Sequence, residues 1–349
     1  MKRRQFVAWM ATLNVIRSHL LAANATMHPL GICAFSCHLH WQAVRGNQPG
    51  TSFSNASSFY DYARTLGADG VQTSFRELDA IALKSLRAKC DEDGSYLEGD
   101  IRIPKSSSDL EDFEREVRLT RETGARVARA VLMGGRRYET FQSLSEFQDF
   151  HRQTRTRLEL AEPILRKHGL KLAVENHKDL TVDEQVELLK QISSEWVGAL
   201  VDTGNNLALL DDPYRSVELL APFALSVHLK DMAVQPSSNG FLLSEVRCGV
   251  GFLDLRRMIA TLRAANPQIV FNLEMATREP LSIPCLSDRY WNTFPDRKST
   301  HLDAAMELVK RHPIHEPPPS ILDKTMDRLL ADEEGNNRVS LSWMHEHIL

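Results

Sequence analysis

Lys171-Leu172-Ala173-Val174-Glu175-Asn176-His177 and, further on, Gly198-Ala199-Leu200-Val201-Asp202-Thr203-Gly204-Asn205 share one design, a short apolar run that ends abruptly on an acidic residue. A strand that is apolar at successive positions is buried on both faces, as the strands of a parallel sheet covered by helices are. An ionisable residue at its last position then points into the open end of the sheet. The pattern recurs where Leu225-Ser226-Val227 leads to His228 and where Ile269-Val270-Phe271-Asn272-Leu273 ends on Glu274. Glu175 and Asp202, and again Asp202 and His228, are separated by the length of one strand-helix-strand unit, so three of the four residues come from adjacent strands.

Working outward, apolar runs that read as strands number eight, at residues 30–35, 70–74, 96–103, 126–132, 170–175, 197–202, 224–229 and 268–274, each followed by a helical pattern. The alternation predicts an α/β chain with a single (β/α)8 TIM barrel over residues 28–312 and a short C-terminal helical extension, a strap over residues 313–349. The intervening helices carry their own start signals. Ser108 with Glu111, and Thr181 with Glu184, have the spacing of capping boxes, in which hydroxyl and carboxylate satisfy N–H groups that the first turn leaves free. Leu110, Phe113 and Val117 then form one apolar stripe, and Val182, Val186 and Leu189 another. Asp254 is placed to cap a helix whose Leu255, Met258, Ile259 and Leu262 face the barrel. The eighth helix is expected over residues 300–311, after which Pro313 and Pro317-Pro318-Pro319 lead the chain away, and residues 320–349 read as one or two short amphipathic helices.

Composition narrows the function class. With 349 residues, 42% hydrophobic and 25% charged, the chain can bury a large core, and a net charge of −4 provides no basic field for gripping nucleic acid. Five cysteines, Cys33, Cys37, Cys90, Cys248 and Cys285, are odd in number and form no CxxC pair, which argues for buried thiols rather than a disulfide framework. Arg3-Arg4-Gln5-Phe6-Val7 matches the twin-arginine pattern, and Ala23-Asn24-Ala25 a small-residue exit, while Arg17 and His19 interrupt the apolar stretch between them. Residues 1–27 are therefore read as an export signal or as a basic N-terminal segment, which leaves periplasm and cytoplasm both open. No other stretch is long and apolar enough to span a membrane.

Three carboxylates in one barrel mouth repel one another unless a cation neutralises them, and a divalent metal held by Glu175, Asp202, His228 and Glu274 resolves the conflict. Oxygen-rich coordination with one imidazole suits Mn²⁺ best, with Mg²⁺, Co²⁺ or Zn²⁺ as alternatives, and nothing calls for an organic cofactor. Residues two apart on a strand face the same side, so His177 follows Glu175 and Lys230 follows His228 toward the mouth. Asn176, His177, Asn205, Lys230 and Arg247 are candidate substrate contacts, and Asp231 is a candidate partner for Lys230 or a support behind the ligands. Arg129, Arg136 and Arg137 beside Gly134-Gly135 suit an anionic substrate or else pair with Glu139, and His38 and His40 lie where they can line the mouth.

The set Val174-Glu175-Asn176-His177, Val201-Asp202-Thr203-Gly204-Asn205, Val227-His228-Leu229-Lys230-Asp231 and Leu273-Glu274-Met275 resembles the xylose-isomerase-like TIM-barrel superfamily, within its sugar phosphate isomerase/epimerase branch. The likeness covers roughly residues 28–312 and is specific in the second half. It implies that Glu175, Asp202, His228 and Glu274 hold the metal, and that Glu175 and Glu274 also act as the acid/base pair. The reaction implied is proton transfer at the carbon next to a carbonyl of a sugar or sugar phosphate, through a metal-stabilised enediolate. Ketose epimerases of this kind often carry a His three residues after the Asp ligand, where this chain has Asn205, so the sugar does not transfer by analogy. An apurinic-endonuclease-like metal hydrolase, a sugar-acid lyase or dehydratase and a non-catalytic sugar-binding barrel stand as alternatives. The expected partner is a small molecule, with no nucleic acid and no integral membrane segment, and a homo-oligomer stays open.

Overall fold

In the computed structural model, which describes residues 29–294, 296–314 and 319–347, the described residues form a closed barrel of eight parallel strands. They are β1 (Leu30–Cys33), β2 (Gly70–Thr73), β3 (Tyr96–Asp100), β4 (Val127–Ala130), β5 (Lys171–Glu175), β6 (Val197–Asp202), β7 (Ala224–Leu229) and β10 (Phe271–Leu273), in ring order, with β10 paired to both β7 and β1. Between β7 and the last barrel strand the chain makes a hairpin of β8 (Asp231–Ser237) and β9 (Gly240–Val246), which β11 (Leu281–Ile283) extends to a three-stranded antiparallel sheet. All eight expected strands are present, several shorter than expected. β1, for example, stops at Cys33 because the next residues turn, and the Ser36 hydroxyl donates to Leu273 O at 2.8 Å and accepts from Met275 N–H at 2.9 Å.

The helices are α1 (His38–Arg45), α2 (Ala56–Leu66), α3 (Ala80–Glu92), α4 (Leu110–Glu122), α5 (Arg137–Thr140), α6 (Leu144–His168), α7 (Val182–Ile192), α8 (Pro213–Leu220), α9 (Leu255–Ala265), α10 (Lys298–Arg311) and α11 (Met326–His347). Thr181 and Glu184 form the expected capping box on α7, and Asp254 accepts from Arg257 N–H at the start of α9. The box before α4 is Ser106 with Asp109, not Ser108 with Glu111. The two share a spacing, and a short 3-10 turn at Ser107–Asp109 begins the helical path two residues earlier. Val182, Val186 and Leu189 on α7 and Leu255, Met258, Ile259 and Leu262 on α9 are buried against the sheet. Complete burial of each such aliphatic side chain contributes about 1.5–3 kcal/mol. The five cysteines are free and buried, and no helix of the described residues is long and apolar enough to cross a membrane. The twin-arginine pattern lies outside the described residues.

Among the described residues the C-terminal extension holds one helix of 22 residues, longer than the one or two short helices expected. It crosses the outside of the barrel next to the start of α1. Leu329, Leu330, Leu341 and Met344 are buried, and Gly249 adopts φ +87° where an added Cβ would lie 2.3 Å from the Trp343 indole. Glu333 is fully buried and accepts from Leu39 N–H at 2.8 Å, His40 N–H at 3.1 Å and the His40 Nδ1 at 2.7 Å. Asn337 donates to Ser36 O at 2.8 Å, so α11 grips both sides of the turn that leaves β1. Replacing Glu333 with Ala orphans those buried donors at about 1–3 kcal/mol each. The variant is expected to lose about 3 kcal/mol or more in urea unfolding with an unchanged m-value, and an unaltered midpoint would remove the latch.

Candidate metal centre

Burial makes the four strand-end residues neighbours. β5, β6, β7 and β10 end at one level of the barrel, with Asp202 in register with His228 and His228 with Asn272. Glu175, Asp202, His228 and Glu274, all buried, each bring a ligand-capable atom within 4.8 Å of the others. Asp202 Oδ2, His228 Nδ1 and Glu274 Oε2 are buried and make no well-formed hydrogen bond, although His228 Nδ1 lies against Glu274 Oε2 and the Lys230 ammonium lies 2.9 Å from Asp202 Oδ2. Such atoms are costly unless something satisfies them.

Each side chain is aimed by its neighbours. Asp202 Oδ1 accepts from Gly204 N–H at 2.9 Å and Asn205 N–H at 2.8 Å, which turns Oδ2 toward the centre. His228 Nε2 lies 2.7 Å from Gln72 Oε1 on β2. Gln72 Nε2 donates to Glu98 Oε2 at 2.8 Å, so its Oε1 is the acceptor and the histidine carries its proton on Nε2. The lone pair of Nδ1 is thereby directed at the carboxylates, the arrangement that a metal-ligating histidine needs. Ser226 at 2.7 Å and Asn272 at 2.9 Å also donate to Glu98 Oε2, so one polar layer inside the barrel sets the imidazole.

Cations fill the rest of the mouth. The Lys230 ammonium, fully enclosed, lies 2.9 Å from Asp202 Oδ2, 3.1 Å from Glu274 Oε1 and 3.2 Å from Glu245 Oε1. Burial disfavours its charge, but these carboxylates override the penalty and hold its pKa well above the ordinary range. Gly204 makes the approach feasible, since a Cβ there would lie 2.6 Å from Met232 Sδ and 3.1 Å from Lys230 Cδ. Arg129 on β4 contacts Glu175 Oε2 through Nη2 at 2.6 Å and Nε at 2.7 Å, and Asp100 through Nη1 at 3.1 Å. Burial works to raise the Glu175 carboxyl, but Arg129, with help from His228, brings it down to about 2. Asp202 is pushed the other way, to about 6, by burial and then by Glu274 and Glu175 against the pull of Lys230.

Other residues singled out from sequence are distributed more widely. Asn205 belongs to the cluster, donating to Glu175 Oε1 at 2.9 Å. Asn176 ties β5 to β6, donating to Asp202 O at 2.8 Å and accepting from Asp202 N–H at 2.7 Å. His177 has a buried Nδ1 without a hydrogen bond, and burial, reinforced by Lys178, lowers its pKa to about 3. Asp231 does not pair with Lys230. Its carboxylate accepts from the N–H groups of Met232, Gly249, Gly251 and Leu253 and organises the loop after β9. Arg247 lines a separate cavity of about 740 Å³ under α11 with Arg311, His312 and Asn336. Arg136 pairs with Glu139, and buried Arg137 stacks on Phe147 and pairs with Glu184, so neither points at the cluster. His38 lines a mouth-side cavity of about 450 Å³ with Phe35, Trp41, Arg76, Asp100 and Arg129, whereas His40 is bound to Glu333.

Sequence reasoning passed over Gln72, Glu98, Lys178 and Glu245. Gln72 and Glu98 are polar positions inside otherwise buried strands, a signal that was available. Glu245, which holds both Lys230 and Arg278, comes from β9, outside the barrel repeat. Cys33 at the end of β1 also brings its Sγ within 4.8 Å of ligand atoms of His228 and Glu274, and burial, with Glu274 adding, pushes its thiol far above the usual range.

Against known proteins, a family model described as Xylose isomerase-like TIM barrel matches residues 60–290. Among curated proteins the chain is 28% identical over 103 residues to 3-oxo-isoapionate decarboxylase of Pectobacterium atrosepticum, a match covering 29% of this chain and 38% of that protein. It spans well under two thirds of the length of the curated relatives it matches. Among solved structures it superposes on D-psicose 3-epimerase from Clostridium cellulolyticum H10 with a TM-score of 0.54, 12% identity, and coverage of 81% of this chain and 99% of that one. The same values are found for 3-keto-D-glucoside 4-epimerase from Escherichia coli. At that identity the superpositions speak for the fold. With the family match spanning most of the barrel, the chain belongs to the Xylose isomerase-like TIM barrel family.

Proposed function

We propose that the chain is a divalent-metal-dependent isomerase or epimerase that moves a proton at the carbon next to the carbonyl of a sugar or sugar derivative. The observation that carries this reading is the convergence of Glu175, Asp202, His228 and Glu274, all buried, with ligand-capable atoms within 4.8 Å of one another and His228 Nδ1 turned to the carboxylates. Three carboxylates and one imidazole whose tautomer is fixed from behind make a donor set that fits a hard or borderline divalent ion such as Mn²⁺ or Mg²⁺. When bound, that ion would polarise a substrate carbonyl and make the adjacent C–H acidic. The names of the superposed epimerases agree with this class of reaction.

The two glutamates are not equivalent. Glu175 has both oxygens engaged, Oε2 by Arg129 and Oε1 by Asn205, which suits a fixed ligand. Glu274 has Oε2 against His228 Nδ1 on the side of the cluster and Oε1 beside the Lys230 ammonium at 3.1 Å, so with Oε2 facing an ion, Oε1 is the oxygen left to take up and return a proton. Lys230 would steady the charge that Glu274 alternately loses and regains. The roughly 450 Å³ cavity beside Arg129, walled by Phe35 and Trp41, gives a small polyol a place to lie.

The reading is tested by incubating Mg²⁺-loaded protein with a panel of ketoses, sugar phosphates and sugar acids in D2O and following deuterium uptake by mass spectrometry. Exchange at the carbon next to the carbonyl is expected for at least one compound, and Glu274→Gln should slow it about 10²- to 10⁴-fold with an unchanged circular dichroism spectrum. A fully active variant would take Glu274 out of proton transfer. Gln72→Leu is expected to weaken divalent-metal affinity about 10- to 100-fold in a calorimetric titration, because the imidazole loses its orienting acceptor. Unchanged affinity would mean that Gln72 only fills the barrel.

A further inference from the structure

The buried cations of the mouth are unequally partnered. Lys230 contacts three carboxylates, Arg129 two and Arg278 one, Glu245 at 2.7 Å. Lys178, 4% exposed, forms no ion pair among the described residues. Its ammonium donates to the neutral Asn205 Oδ1, the same oxygen that lies 3.4 Å from Lys230 Nζ. Asp179 beside it in sequence forms no ion pair with it, and its Oδ1 accepts from Leu180 N–H at 2.8 Å. An enclosed ammonium without an anion is a large cost that folding does not offset unless a ligand does. Burial, followed by Lys230 and Arg278, accordingly lowers the Lys178 pKa to about 8.

We infer that Lys178, backed by Lys230 and Arg278, is the docking point for a carboxylate carried by the substrate, so that the substrate class is a keto or hydroxy sugar acid. The inference rests on the reading of the mouth as a carbonyl-binding metal site. Position decides between oxyanions. A single amide group, that of Asn205, separates Lys178 from Glu175 Oε1, to which Asn205 Nδ2 donates at 2.9 Å. A carboxylate attached at or one carbon beyond the bound carbonyl reaches across that gap. A divalent ion on Glu175, Asp202 and Glu274 would add positive charge to a mouth in which Lys178 is already unmatched, and an anionic substrate restores the balance.

Three matched small probes test this by calorimetry: hydroxypyruvate, dihydroxyacetone, which replaces the carboxylate with a neutral hydroxymethyl group, and dihydroxyacetone phosphate. Metal stoichiometry is measured first, and the titrations are run on Mg²⁺-loaded and metal-free protein. Hydroxypyruvate is expected to bind the loaded protein at least about tenfold tighter than dihydroxyacetone. Lys178→Met should lose at least about tenfold for hydroxypyruvate and under about threefold for dihydroxyacetone, with unchanged metal content, and Lys178→Arg should keep the preference. Equal losses for both probes would make Lys178 a brace of the mouth and overturn the inference. A Lys178-dependent preference for the phosphate over hydroxypyruvate would overturn the choice of carboxylate. No preference for either anion on protein that holds its metal would overturn the subsite alone. Protein that retains no metal would fail the functional reading instead, and the anion preference would then be read from the metal-free titration, where Lys178 is just as unmatched.

Discussion

Glu175, Asp202, Glu274 and Glu245 are carboxylates taken out of water within one barrel mouth, and the organisation around them follows from the need to keep them charged side by side. Like charges in a low-dielectric space repel strongly, and each ion carries a desolvation penalty as well. Lys230 stands at the centre of the solution, contacting three of the four, and Arg129 holds the remaining one. The compensation is incomplete in a specific way, since His228 Nδ1 and Glu274 Oε2 face each other, and Asp202 Oδ2 faces Lys230, without a well-formed hydrogen bond. A mouth built in this manner suits the proposed cation between those atoms and the proposed anion on the side where Lys178 has no carboxylate among the described residues.

Precision in such a site depends on layers behind it. Glu98, itself pushed up by burial and steadied by donors from Ser226, Gln72 and Asn272, orients Gln72 and through it the imidazole. On the other side of the barrel, Ser36 clamps the backbone on both sides of Glu274 by its bonds to Leu273 and Met275, and Asn337 of α11 holds Ser36. The C-terminal helix therefore supports Glu274, the last residue of the cluster, through one intermediate residue. Stability and site geometry are joined at that point.

The barrel was legible because its evidence is periodic. Val197–Asp202 is apolar at every position but the last and is buried along its whole length, as a strand covered on both faces has to be. The four ligand candidates stood out by the same contrast, an ionisable residue closing an apolar run. Residues set by non-repeating parts of the chain were not legible. Glu245 lies on the β8–β9 hairpin, although Asn239-Gly240 between two apolar runs is a hairpin signal. Of the two readings of Asp231, the pairing with Lys230 is not formed, because nearness in sequence says nothing of the four loop N–H groups that close around its carboxylate in space. Lys178 follows His177 directly, yet only the tertiary structure reveals that its neighbours include no carboxylate partner among the described residues.

The most direct measurement is the metal content of the purified and reloaded protein by elemental analysis, set beside that of an Asp202→Ala, His228→Ala double variant of verified fold. The account predicts about one divalent ion per chain in the parent, consistent with a single four-residue cluster, and close to none in the variant. A parent that holds no ion after reloading, a variant that holds as much as the parent, or several zinc ions per chain would contradict it.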